Sequence, residues 1–183
     1  MPALKFRVLL DSIKKEEIFR DIIIDDSDNF HSLYTCILDS FGFDDNEMAS
    51  FYVSDFEWNK GEEISLMDMT FGEEDEAVEV MSDTLIRHHI ESPKQRYILV
   101  HNFMDMWIFL IEMQEISSKV VTTPEVELSV GILTDALRQT KKIENEDLQF
   151  STEEIESESE FDFEDDYDED DLGDFQSIDE FDI

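Results

Sequence analysis

Over residues 4–12, Leu4, Phe6, Val8 and Leu10 alternate with Lys5 and Arg7, the period of a strand with one buried face. Residues 18–26, "IFRDIIIDD", are rich in β-branched side chains and predict a second strand. The short polar link "IKKEE" makes these two a hairpin. The period then changes. Phe30, Leu33, Ile37 and Phe41 recur at helical spacing, and Tyr34 and Leu38 widen the stripe. Ser27 or Asp28 is the expected N-cap, and Gly42 stands where a left-handed residue commonly ends a helix.

Residues 48–55 alternate again and predict a third strand, followed by a turn at "EWNKGEE". Residues 62–80 read as an acidic loop with at most a short strand at 77–80. Residues 81–92 predict a short helix, with Ser82 or Asp83 as its cap and Pro93 beyond its end. "RYILVHNF" and "MWIFLIEMQEI" are strands, and the link "NFMDM" is too short for a crossover, so the two pair antiparallel. "EVELSVGI" is a weaker last strand, and "TDALRQTKKIENED" is a terminal helix. Few helices and short links between strands define an α+β domain: a mostly antiparallel sheet with helices packed on one face.

Charge divides this picture in two. The chain holds 49 acidic and 13 basic residues, a formal net charge of −36. Residues 144–183 carry 20 of those carboxylates and no Lys or Arg, which leaves 29 acidic against 13 basic side chains in residues 1–143. Residues 1–143 are therefore read as one domain and 144–183 as an acidic, disordered tail, because like charges oppose compaction. The tail also holds Phe161, Phe163, Tyr167, Phe175 and Phe181. A spacer has no need of rings. Acid supplies long-range steering over a Debye length of ~8 Å in physiological salt, and rings supply apolar anchors. This mixture points first to a ligand for a basic protein, next to a strap across its own domain, and last to a solubiliser.

The same charge disfavours direct nucleic-acid binding, which needs clustered Lys and Arg. The best cluster, Lys14, Lys15 and Arg20, is diluted by Glu16, Glu17 and Asp21. Cys36 is the only cysteine, so no disulfide can form within the chain, and a reducing compartment is expected. No apolar run has the length of a signal core or a membrane span, so the expectation is a soluble, cytoplasmic protein without membrane contact.

Candidate chemistry is sparse. There is no nucleophile elbow and no Gly-rich phosphate loop in a chain with five glycines, and no cofactor is expected. Cys36 lies on or near the helical stripe and reads as a small buried hydrophobe. The histidines are His31, His88, His89 and His101, and neighbours such as His88 and His89 project about 100° apart on a helix, so they do not easily share one metal ion. "DEDDLGD" lacks the order of a calcium loop. Carboxylate pairs are unavoidable at this composition and are no evidence for an enzyme.

Two stretches carry a family resemblance. In "DSDNFHSLYTCILDSFGFDDNEMASFYV", an amphipathic helix ends in an aromatic-Gly-aromatic turn before an acidic loop and a strand, through Phe30, Leu33, Ile37, Phe41, Gly42, Phe43, Asp45, Met48 and Phe51. In "HNFMDMWIFLIEM", Phe103, Asp105 and Trp107 match a Tyr-Asp-Phe-Gly-Asp-x-Trp-x-His signature. The chain thus resembles the plasmid pRiA4b ORF-3-like family over about residues 3–132. Met104 stands in place of the signature glycine and Phe109 in place of its histidine, and a later Pro-Pro-Glu-Asp-x-Gly-Gly segment is absent. The resemblance implies an α+β fold and, by association, a mobile-element or plasmid accessory role. Asn102, Asp105 and Trp107 become the candidate interaction surface of the body, with Phe161, Phe163, Tyr167, Phe175 and Phe181 that of the tail. The leading reading is a non-enzymatic interaction module with a basic protein partner. Its rival is a metal-dependent hydrolase using Asp105 with His101 or His89. The bland reading of the signature is a core Trp107 beside a turn-capping Asp105.

Overall fold

The structure is a computed structural model that describes residues 2–12, 16–70 and 77–143. The expectations for the tail, including its five aromatic candidates, lie outside the described residues, as do Lys14 and Lys15. The body is the expected α+β domain, and its sheet has eight strands. Strands β1 (Ala3–Leu10) and β2 (Phe19–Asp25) form the expected hairpin, and α1 (Phe30–Phe41) follows. Then come β3 (Ala49–Ser54), β4 (Lys60–Ser65), the two-residue β5 (Glu79–Val80), a 3-10 turn at Ile86–His89, β6 (Arg96–His101), β7 (Trp107–Ser117) and β8 (Glu125–Val130). Residues 135–143 are helical.

The spatial order is β5-β4-β3-β6-β7-β1-β2-β8. Every pairing is antiparallel except the short β4–β5 contact. β7 joins the two halves, because it pairs with β6 on one side and β1 on the other. Its alternation lets it bury Trp107, Phe109, Ile111 and Met113 on the helix side. Phe6 and Val8 of β1, Ile22 and Ile24 of β2, Phe51 of β3 and Leu99 of β6 complete that face, and the apolar stripe of α1 closes over it. Leu133 and Leu137 pack on the same core, and Arg138 donates to the carbonyls of Phe41 (3.0 Å) and Gly42 (2.8 Å) at the end of α1. The opposite face carries cross-strand ion pairs, Arg7 with Asp21 and Arg96 with Glu112, and a small cluster of Ala3, Ile23 and Val121.

Three local expectations are corrected. The N-cap of α1 is Asn29, whose side chain accepts from the Ser32 amide at 2.9 Å. Ser27 is instead bonded to Asp25 through both its amide and its hydroxyl. Residues 60–65 form a strand where a turn and acidic loop were expected. Glu63 stands on the ion-paired face and accepts from Ser50 and Tyr52, so the strand is anchored by polar cross-strand bonds rather than apolar alternation. Residues 81–92 make turns and one 3-10 turn instead of a helix. The amides of Ile86 and Arg87 donate to Asp28 and Asp26 carbonyls, and Leu85 bridges Asn29, so these groups serve the loop before α1 and not a helical ladder. Among the described residues no helix is long and apolar enough to cross a membrane.

Candidate functional site

Asn102, Phe103 and Asp105 fall in the β6–β7 turn, residues 102–106, and Trp107 opens β7. Asn102 and Met106 both take left-handed backbone angles, φ 57° and 54°. Asn is among the few residues that tolerate this region. The Asn102 side-chain oxygen accepts from the amides of Met104 (3.0 Å) and Asp105 (3.1 Å), and its side-chain nitrogen donates to the Asp105 carboxylate at 3.1 Å. The Asn102 amide donates to the Met48 carbonyl at 2.8 Å, which fastens the turn to the start of β3. Asn102 and Asp105 therefore lock the loop by reciprocal bonds.

Trp107 lies on the helix face and is 6% exposed. Phe43 meets it edge-on at 5.0 Å, and Lys141 sits 4.9 Å from its ring centre. What the locked turn presents outward is apolar: Phe103 is 41% and Met104 72% exposed. The sequence reading placed both in the signature but not among the candidate interaction residues. The available signal was three large apolar side chains, Phe103, Met104 and Met106, in a five-residue link whose only polar members are Asn102 and Asp105.

His101 and His89 each have contacts of their own. His101 is buried on the helix face, with Nδ1 3.2 Å from the Tyr34 hydroxyl and the Phe43 ring at 5.4 Å. Burial lowers its pKa, and the opposing pull of Glu47 is smaller. His89 stands on the 3-10 turn, with Nε2 2.6 Å from Glu79 and its ring edge-on to Phe30. Among the described residues no three of His, Cys, Asp and Glu are grouped so as to hold a metal ion. Cys36 is half-buried against the core, and burial together with Asp39 pushes its thiol up to about 11, which leaves it protonated at neutral pH.

Most of the described basic side chains are turned to contacts within the chain. Arg7 grips both oxygens of Asp21 at 2.8 Å, and Arg96 grips Glu112 at 2.7 Å. Lys5 reaches Glu127 at 3.3 Å, and Lys119 reaches Glu125 at 3.0 Å. Arg20 is inside the fold, donating to the carbonyls of Ser40 and Val130. Lys60 sits over the Tyr52 ring. The hollow of about 550 Å³ between the β3–β4 hairpin and the start of β6 is lined by Lys60, Lys94 and Arg96 together with Asp55, Glu62 and Glu91, so its charges balance and it is no basic site.

An antiparallel sheet backed by one long helix, with a side-chain-locked β6–β7 turn, defines a small α+β module. The chain belongs to the plasmid pRiA4b ORF-3-like protein family, whose family profile matches residues 2–140. The resemblance read from the two motifs is thereby borne out. The fold is similar to the crystal structure of a protein of unknown function from Methanosarcina mazei Go1, at 12% identity and a TM-score of 0.56, over 70% of this chain and 68% of that one. At this identity the likeness concerns fold alone. No curated protein matches the chain.

Proposed function

We propose that this chain is a non-enzymatic binding module whose partner is a basic protein. One observation carries the reading: the cations of the described domain are mostly held in contacts within the chain, against a large excess of carboxylates. Among residues 1–143, 29 acidic side chains face 13 basic ones, and residues 144–183 add 20 acidic and no basic ones. A surface of this kind attracts a cationic protein from a distance and repels phosphate backbones. The tail's Phe161, Phe163, Tyr167, Phe175 and Phe181 supply apolar contacts that pure charge lacks.

Capture of lysine-rich and arginine-rich proteins on the immobilised full chain tests the reading. Binding is expected at low ionic strength and is expected to weaken steeply by 0.5 M salt, where the screening length falls below the ~8 Å of physiological buffer. The fragment 1–143 is expected to capture the same proteins more weakly. Equal capture of neutral and basic proteins, or a set indifferent to salt, would count against it.

A further inference from the structure

The locked β6–β7 turn forms one wall of a groove that the sequence does not announce. Met48, Met69, Val78 and Phe103 line a hollow of about 340 Å³, together with the polar Ser50, Glu63, Ser65 and Thr70. A second hollow of about 370 Å³ adjoins it, walled by Glu62, Glu63, Ala77, Val78 and Glu79. Glu63 and Val78 line both, so the two adjoin as an apolar and an acidic half. No Lys or Arg is among the described residues that line either half.

The halves are built differently. Glu63 is positioned at the boundary, where Oε1 accepts from the Ser50 hydroxyl at 2.6 Å and the Tyr52 hydroxyl at 3.4 Å. Glu79 is held by His89 Nε2 at 2.6 Å. The apolar half is soft. Met69 is 52% exposed, and Phe103 and Met104 stand out from the neighbouring turn. Unbranched, polarisable Met side chains adapt to the shape of an apolar guest, and exposed apolar patches with polar rims mark interaction sites.

We propose that this groove is where the basic partner docks, and that it selects a segment carrying one large apolar side chain beside lysine or arginine. The apolar residue enters between Met69 and Phe103, and the cations meet Glu62, Glu63 and Glu79. Charge complementarity decides the occupant: an acidic or neutral segment would bury those carboxylates without a counter-charge, which is costly. The inference rests on the basic-partner reading and narrows it to a place and a sequence type.

Three peptides of equal length, titrated against the full chain by fluorescence anisotropy, test it. One carries Leu beside a run of Lys, one has Ser for that Leu, and one keeps Leu but has Gln for Lys. The anchored basic peptide is expected to bind about tenfold more tightly than the Ser form, the order that burying one large apolar side chain supplies. F103S combined with M69S is expected to abolish that tenfold difference while leaving the Ser peptide unchanged. E63Q is expected to weaken both basic peptides severalfold. Equal affinity of the Leu and Ser peptides for the unaltered chain overturns the groove and leaves the basic-partner reading standing. Failure of every basic peptide to bind overturns both. Binding of the Leu–Gln peptide as tight as the Leu–Lys one overturns the selection for cations. The peptide comparison needs no altered protein, so a variant that misfolds does not shelter the proposal.

Discussion

His101 shows how one side chain ties the core to pH. It is 2% exposed, and its pKa lies below the ordinary value of 6.5 because burial penalises the imidazolium. Its partner Tyr34 is pushed up to about 12 by burial and by Asp45 and Glu47, so its hydroxyl stays protonated at neutral pH and can donate to an unprotonated Nδ1. Between the depressed folded pKa and 6.5, the unfolded chain binds more protons at this residue than the folded one. Stability from this source is therefore present above 6.5 and is lost as pH falls, by at most about 1.4 kcal/mol per pH unit. Urea unfolding at pH 7.5 and 5.5 is expected to show a larger loss for the native sequence than for H101Q. Parallel pH profiles would show that His101 is not the group responsible. Asn102 offers a second residue-scale check. Its left-handed backbone favours Gly over Ala, so N102A is expected to unfold at lower urea than N102G, although both lose the same side-chain bonds to the turn.

At the scale of elements, what the sequence revealed depended on whether apolar periodicity or polar bonding builds the element. β1, α1 and β7 bury regular apolar stripes, while β2, β3 and β6 are apolar runs buried on most positions, and each was legible within a residue or two. β4 was not, because four of its six residues are exposed and its hold on β3 comes from Glu63 and main-chain pairing. The false helix at 81–92 has an acceptable cap and a terminating Pro, but its amides are claimed by the loop before α1. The signature itself was legible as a turn, while the outward display of Phe103 and the groove behind it depend on β4, the missed strand. Asn29 binds two of these regions together, capping α1 and donating to the Ser82 carbonyl at 2.9 Å. N29A is expected to cost about 1–2 kcal/mol, the upper part of the N-cap range, measured by chemical denaturation. The hold of β8 on β2 has its own test. Gly131 has φ 75°, and an added Cβ would lie 2.6 Å from the Glu17 carbonyl oxygen. G131A is expected to destabilise by more than about 1 kcal/mol, and a neutral result would mean that this corner shifts freely.

For the whole molecule, the ruling quantity is the excess of acid, and its effects on folding and on binding have opposite signs in salt. The body places 29 carboxylates against 13 bases, so its compact state is opposed by its own charge. Added salt screens that repulsion. It also screens the internal pairs, Arg7 with Asp21 and Lys5 with Glu127 among them, and so removes some stabilisation. Which effect wins follows from numbers and geometry. Partly exposed pairs contribute little each, whereas the unbalanced carboxylates repel across the whole surface, and the bidentate Arg7–Asp21 contact, with the Asp21 side chain almost wholly buried, is short-ranged and weakly screened. Thermal unfolding of the full chain is therefore expected to shift to higher temperature between 20 mM and 0.5 M sodium chloride, while capture of basic proteins falls over the same interval. A melting temperature that drops with salt would show that internal ion pairs, and not net repulsion, dominate the electrostatics. The cations would then be a scaffold the fold depends on, and the acid excess would lose its claim to have been retained for a partner at a cost in stability.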